Sequence, residues 1–457
     1  MIEVVNPADG SVVAAVETVT PEQVKDAYER ARVAQVEWSR TPLSERVACL
    51  SRFRSLVTER RDELAATLTS EVGKPITQAR NELDGVVPRI DFFVDHVAGA
   101  LAEQVVFEDE VGGLREVISR EPLGVVVNIS AWNYPWFVGS NVFVPALLTG
   151  NAVLYKPSEF AALTGRAIAE LLWEAGVPCD VFNVLLGGGD VGAAVLELPI
   201  DGVFFTGSYA TGRRIAEAVA ASLVPVQLEL GGKDPVYVAD DVDVASVAAA
   251  VADGAFYNTG QSCCSVERIY VHCAIYDEFV ERFVDAVRGF VVGDPLDERS
   301  YIGPLTRAAQ LKVLEAQVAD AVAKGATVRI GGHRLEQPGN WFAPTVLTEV
   351  DHTMTVMVDE SFGPIIGIQA VASDDEAVRL MNDTRYGLTA GVYTSDETRA
   401  RAILAMIDVG SVYWNCCDRV SPRLPWSGRR HSGIGVTLST LGLQAFTRPK
   451  AWHLRSG

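Results

Sequence analysis

The chain has 457 residues, 48% hydrophobic and 21% charged, an ordinary balance for a water-soluble α/β protein. That length exceeds what a single hydrophobic core sustains, so two or more domains are expected. With 59 acidic against 39 basic residues the formal net charge is -20, and no basic cluster stands out, which argues against a nucleic-acid partner. The seven cysteines lack the spacing of a disulfide framework, and neither Cys263-Cys264 nor Cys416-Cys417 has a zinc-ligand pattern. No metal is expected, and the setting is read as the reducing cytoplasm. Met1-Ile-Glu-Val-Val-Asn-Pro7 has neither a basic nor an apolar leader region, so no signal peptide is expected. The longest apolar run, Val142 to Leu148, is broken by Pro145 and too short for a bilayer, so no membrane partner is expected either.

In chain order, Thr20-Pro-Glu-Gln23 reads as a helix start with proline in the first turn, followed by an amphipathic stretch to Trp38. A second helix begins near Thr41-Pro42 and carries Val47, Leu50, Phe53 and Leu56-Val57 at helical spacing. The charged, glycine-containing segment from Phe107 to Glu121 reads as a hairpin between helical regions. From Val125 the pattern changes. Short apolar runs at 125–129, 152–155, 182–185, 202–205 and 226–228 alternate with helical stretches such as 163–174 and 211–220. That alternation predicts a parallel, doubly wound sheet. After Lys233 the grammar restarts, with strands at 236–238 and 268–271 around a helix over 244–256, which places a domain boundary near 232–235.

Three segments carry reactive groups. Asn258-Thr-Gly-Gln-Ser-Cys-Cys-Ser265 places a cysteine pair after a Gly-Gln step. A thiolate is a strong nucleophile whose reactivity its surroundings tune. Glu229-Leu-Gly-Gly-Lys233 sets a carboxylate between Leu228 and Leu230, where desolvation raises its pKa toward that of a useful base. The diglycine after it allows close backbone approach. In Trp132-Asn-Tyr-Pro135, Asn133 offers an amide donor for an oxyanion, with the Cys263 backbone N–H as a second. Taken singly, each has a plainer reading: a packed inert cysteine, a glutamate at a strand end, a turn asparagine. Gly187-Gly-Gly-Asp-Val-Gly192 matches the spacing of a dinucleotide loop but lacks the acidic residue about twenty positions on.

In this order, and with Glu360-Ser-Phe-Gly-Pro364 downstream, the motifs resemble the NAD(P)-dependent aldehyde dehydrogenase superfamily, from Val5-Asn-Pro7 to about Pro449. The resemblance implies an aldehyde-dehydrogenase-like α/β fold of two doubly wound parallel-sheet domains plus a small β oligomerisation arm. Residues 1–103 and 123–232 would form the Rossmann-like dinucleotide-binding domain and 233–432 the catalytic domain. Residues 104–122 and 433–457 would bridge the subunits of a homodimer or homotetramer. Cys263 would be the nucleophile, Glu229 the general base and Asn133 the oxyanion donor. Cofactor contacts would fall on Ser130 and Trp132, on Lys156, Ser158 and Glu159, and on Gly207, Ser208 and Gly212. Leu230, Gly231, Glu360 and Phe362 would complete them. A carboxylate at Glu159 accepts from a ribose 2′-hydroxyl and repels a 2′-phosphate, so NAD is expected, with NADP the alternative.

The same resemblance places Tyr134, Phe137, Asn141, Cys264, Val420 and Trp426 in the substrate tunnel, with Asp418, Arg419 and Arg423 on a nearby loop. Succinate-semialdehyde enzymes often have an arginine where Asn141 stands, to pair with the distal carboxylate; Arg419 or Arg423 could substitute for it, but an uncharged aliphatic or aromatic aldehyde is expected. Many hydrolytic members carry a lysine at the position of Val142 and a glutamate at that of Thr437; the joint change reads as substitution of a whole relay, which bears on how protons leave the site and not on the reaction. The implied reaction is oxidation of an aldehyde to the carboxylate by NAD⁺ and water, through a cysteine thioester. Two other readings stand beside it. One is a CoA-acylating dehydrogenase, disfavoured because such members commonly lack the glutamate; the other is a non-catalytic protein on the same fold.

Overall fold

A computed structural model describes residues 1–456. A ribbon of β1 (Ile2–Val5) and β2 (Val12–Val16) precedes four helices, α1 (Pro21–Arg40), α2 (Leu43–Glu59), α3 (Arg61–Val72) and α4 (Ile76–Leu101). Helix α1 starts on a reciprocal cap. The Thr20 hydroxyl accepts the Gln23 N–H, the Gln23 side chain accepts the Thr20 N–H, and Pro21 occupies the first turn. The predicted hairpin exists and is slightly longer than its sequence signal, β3 (Gln104–Asp109) pairing antiparallel with β4 (Leu114–Pro122).

The first sheet then forms in the predicted alternation. Its strands are β5 (Val125–Ile129), β6 (Ala152–Lys156), β7 (Phe182–Val184), β8 (Gly202–Thr206) and β9 (Val226–Glu229). Helices α5 (Pro135–Leu148), α6 (Ala162–Glu174), α7 (Gly189–Leu196) and α8 (Tyr209–Val219) connect them. These five strands are parallel in the order β9-β8-β5-β6-β7. Strands β5, β6 and β8 are buried at every residue, as expected of central parallel strands covered on both faces. Because β6 and β8 flank β5, the connections reverse direction there, and a crevice opens beyond the carboxyl ends of the strands.

The second sheet begins with β10 (Asp234–Val238), α9 (Val244–Phe256) and β11 (Val266–His272). Helices α10 (Tyr276–Arg288) and α11 (Ala308–Ala323) follow, then β12 (Thr327–Ile330), β13 (Thr345–Thr348), α12 (Thr355–Val358) and β14 (Ile365–Val371). It closes with α13 (Asp374–Asn382), β15 (Thr389–Tyr393), α14 (Glu397–Leu404) and β16 (Ser411–Trp414). Its order is β12-β13-β14-β11-β10-β15-β16, with only β12 antiparallel. Four residues separate the carboxyl end of β9 from the amino end of β10, so Glu229-Leu-Gly-Gly-Lys233 lies where the two sheets meet.

The tail departs from its predicted division. A two-residue strand, β17 (Gly433–Ile434), pairs antiparallel with β9, and α15 (Ser439–Gln444) packs against α4. Phe446 stacks on Phe204 with ring centroids 4.2 Å apart. Residues 433–446 therefore return to the first domain, because β17 satisfies the backbone edge that β9 would otherwise leave open. Only β18 (Thr447–Arg455) joins the arm, in the order β18-β4-β3. Among the described residues no helix is long and apolar enough to cross a membrane.

Candidate active site

The cysteine pair follows a turn that few sequences can make. Asn258 and Thr259 both have left-handed backbone, with φ of 53° and 58°, and Gly260 follows at 70°. Such conformations persist only where the surroundings enforce them. Here the Asn258 N–H donates to Gln78 Oε1 at 2.8 Å, and its side-chain amide donates to the carbonyls of Asn133 and Gln261 at 3.2 and 3.1 Å. Gln261 Oε1 accepts the Thr306 N–H at 3.0 Å. A Cβ on Gly260 would lie 2.3 Å from the Gly363 carbonyl oxygen, so only glycine fits.

Beyond the turn, Cys263 and Cys264 line a cavity of about 470 Å³ together with Glu229. All six predicted tunnel residues are there: Tyr134, Phe137, Asn141, Cys264, Val420 and Trp426. Asn133 reaches the same loop, donating from Nδ2 to the Gln261 carbonyl at 3.0 Å. The two thiols differ. Cys263 is half-buried, whereas Cys264 is buried and donates to Asp418 Oδ1 at 3.0 Å. Its hydrogen bond with Cys263 and its burial push the Cys264 thiol well above its ordinary value, so it stays protonated. Burial likewise pushes the Asp418 carboxyl up to about 7.

Glu229 ends β9 with its side chain buried, and that burial pushes its carboxyl up to about 7. One oxygen, Oε1, accepts both the Thr437 hydroxyl and the Gln227 amide, the latter at 3.1 Å. Gln227 and Glu229 share a strand face because they are two residues apart. Thr437 is held in turn by backbone bonds to Trp426 in the tunnel wall, at 2.8 and 2.9 Å. The position read as a substituted relay partner thus still touches the carboxylate, now through a neutral hydroxyl. Val142 packs in the core of the first domain.

The predicted cofactor residues gather at the crevice of the first sheet. Ser130 follows β5, Lys156 ends β6, and Gly207 and Ser208 follow β8. Ser208 caps α8, its hydroxyl accepting the Thr211 N–H at 3.4 Å, so this helix presents its amide end there. Glu159 Oε2 lies 3.5 Å from both the Lys156 ammonium and the Ser158 hydroxyl. Leu230 fills the space beside Gly212, where a Cβ would come 2.5 Å from Leu230 Cδ2. Gly231 admits Glu360, whose Oε1 would lie 2.3 Å from a Cβ there and accepts the Gly232 N–H at 3.1 Å. Burial, reinforced by Glu267, pushes the Glu360 carboxyl up to about 8. Phe362 meets Trp132 edge-on at 5.6 Å. The Ser130 hydroxyl is buried just beyond β5, beside the Tyr155 hydroxyl.

Several cavity residues carried no sequence expectation. Gln78, Asn81, Glu82 and Arg89 come from α4, and Asp253 and Tyr257 from the end of α9 and just beyond. The local signal on α4 is Gly85: a Cβ there would lie 2.6 Å from Phe137 Cζ, so this glycine lets the aromatic wall lie against the helix. Gln227 had a signal too, its two-residue offset from Glu229.

Comparison with known proteins agrees with this geometry. A profile of the aldehyde dehydrogenase family matches residues 1–452. The chain is 35% identical to a betaine aldehyde dehydrogenase of Brucella anthropi over 99% of this chain and 94% of that protein. It is 36% identical to an NADP⁺ succinate-semialdehyde dehydrogenase of Deinococcus radiodurans, covering 98% and 93%. The crystal structure of an NAD-dependent aldehyde dehydrogenase from Sinorhizobium meliloti superposes with a TM-score of 0.96 at 34% identity, covering 99% and 91%. Matching the family profile from end to end, with thiol and buried carboxylate in one cavity beside the crevice, the chain belongs to the aldehyde dehydrogenase family.

Proposed function

We propose that this protein oxidises an aldehyde to the carboxylate with NAD⁺ and water through a thioester on Cys263. The observation that carries the proposal is the cavity that holds Cys263 together with a buried Glu229 poised at about 7. The Cys263 thiolate adds to the aldehyde carbon and the carbonyl oxygen becomes an alkoxide. One N–H of the Asn133 amide is fixed on the Gln261 carbonyl, which orients the other toward that oxygen; the Cys263 backbone N–H is the second donor. Collapse of that alkoxide expels hydride, for which a bound nicotinamide cofactor would supply the acceptor. The thioester left behind reacts with water while Glu229 takes the proton. Both neutral donors sit on Oε1, so Oε2 is the oxygen free to do this.

Ser130, Lys156, Ser158, Glu159, Gly207, Ser208 and Glu360, with the amide end of α8, would hold the cofactor. The close approach at Gly231, where only a glycine leaves room beside Glu360, supports that fit. Glu159 favours NAD; NADP is the alternative, and the relatives' names include both. A homodimer or homotetramer built through the arm fits the apolar side chains exposed on it, such as Val105, Phe107, Trp452 and Leu454. The seven free thiols suit a reducing, cytoplasmic setting. The test is NADH formation across a panel of aldehydes with NAD⁺ or NADP⁺, with the product identified with and without CoA. Carboxylate formed without CoA supports the reading; an acyl-CoA product, or no oxidation by protein that binds NAD⁺, overturns it.

A further inference from the structure

The cavity contains a buried cation with no carboxylate in ion-pair contact; Glu82 and Glu229 act on it only at longer range. Arg89 on α4 lines it and is only 5% exposed. Its Nη1 donates to the carbonyl of Gly85 in its own helix at 2.9 Å, and its Nε is buried without a partner. Among the described residues it forms no ion pair. Burial pulls its pKa down to about 10, so it remains charged at neutral pH. A buried guanidinium is costly without an anion, and its planar array of donors matches a carboxylate in two-point fashion.

Each carboxylate of the wall has hydrogen-bond partners of its own, and none forms an ion pair with Arg89. Glu82 pairs with Lys74 and accepts the backbone N–H groups of Trp136 and Phe137. Asp253 accepts the Tyr301 hydroxyl, and Asp418 the Cys264 thiol. Glu229 holds Thr437 and Gln227. The aromatic rings have partners as well. The Arg89 guanidinium lies 3.7 Å from the Phe137 ring centroid, Phe137 stacks on Tyr134, and the Lys74 ammonium lies 3.7 Å from the Tyr134 centroid. Two rings that could have received a cationic ligand already carry cations of the protein.

We propose that the substrate is an aldehyde bearing a carboxylate, and that Arg89 binds this carboxylate inside the cavity. The inference rests on the aldehyde-oxidising reading above and names its substrate class. It replaces the expectation of an uncharged aldehyde, which rested on Asn141 and took no account of α4. Arg419, exposed at the cavity's edge, adds a second positive charge on the way in.

The experiment compares kcat/KM of the purified enzyme for succinic semialdehyde, butanal and betaine aldehyde, as anionic, neutral and cationic probes. The semialdehyde is expected to lead butanal by at least about tenfold, with betaine aldehyde last. Arg89→Met is expected to cut the semialdehyde-to-butanal ratio by about tenfold to a hundredfold, chiefly through KM, and Arg89→Lys to restore part of it. A wild-type enzyme that oxidises butanal or betaine aldehyde as well as the semialdehyde overturns the inference and leaves aldehyde oxidation standing. So does an unchanged ratio in Arg89→Met. If that variant fails to fold, Arg89→Lys and the wild-type ratio decide. Silence with every aldehyde overturns the parent reading instead.

Discussion

The crevice of the first sheet and the cavity around Cys263 are adjacent, yet they are built from different materials. The crevice is made largely of backbone: strand ends at the reversal beside β5, the amide end of α8, and glycines at 212 and 231 where a Cβ would collide with Leu230 or Glu360. The cavity is made of side chains from remote segments: Arg89 from α4, Phe137 from α5, Glu229 from β9, Cys263 from just beyond the left-handed turn, and Trp426 from the loop between β16 and β17. Backbone sites need glycine and capping residues at fixed offsets and so leave local motifs. Side-chain sites need only that the fold brings ordinary residues together.

That difference can be broken or sharpened by substitution, since damage to the cavity should appear in kcat and damage to the crevice in the KM for cofactor. The largest effect is expected for Cys263→Ala, which should lower oxidation by more than about 10⁴-fold while cofactor binding, followed by nucleotide fluorescence, persists. Glu229→Gln should lower steady-state kcat by about 10²- to 10⁴-fold yet preserve a burst of one NADH per site in stopped flow. In the crevice, Gly231→Val should raise the KM for NAD⁺ about tenfold by displacing Glu360, with kcat at saturation far less affected. A kcat loss in Gly231→Val as deep as in Glu229→Gln would dissolve the distinction between the two regions.

The smallest effect concerns the pinning of Glu229. A base must be unprotonated, so activity should rise with pH through about 7. Thr437 donates to the carboxylate and favours its charged form, which offsets part of the burial that raises it. Thr437→Val should therefore move the lower limb of the kcat profile to higher pH by about one unit, with only a several-fold loss at high pH. An unmoved limb would mean that Thr437 serves Trp426 and the wall, not the base.

Much of the fold was legible. Thr20 and Gln23 announced the α1 cap, and the apolar runs from Val125 to Leu228 marked the parallel strands. What escaped was short or disguised. Strand β17 has two residues, Gly433 and Ile434, too few to carry a period, and so the return of the tail to β9 was invisible. Helix α4 runs through Pro88, ordinarily a breaker, and no motif surrounds Arg89, so nothing in the sequence marked it. The reagents of the site stood in motifs because Cys263 needs its left-handed turn and Glu229 its glycines. The walls did not, since Arg89, Tyr257 and Asp253 meet only in three dimensions.

The central claim is a thioester that forms on Cys263 and waits for Glu229. The most direct measurement is the intact mass of the Glu229→Gln protein quenched shortly after mixing with NAD⁺ and an oxidisable aldehyde. One added acyl group per chain is expected, and none in the Cys263→Ala, Glu229→Gln double variant. An unmodified mass during an NADH burst, or an acyl group retained in the double variant, would contradict the account.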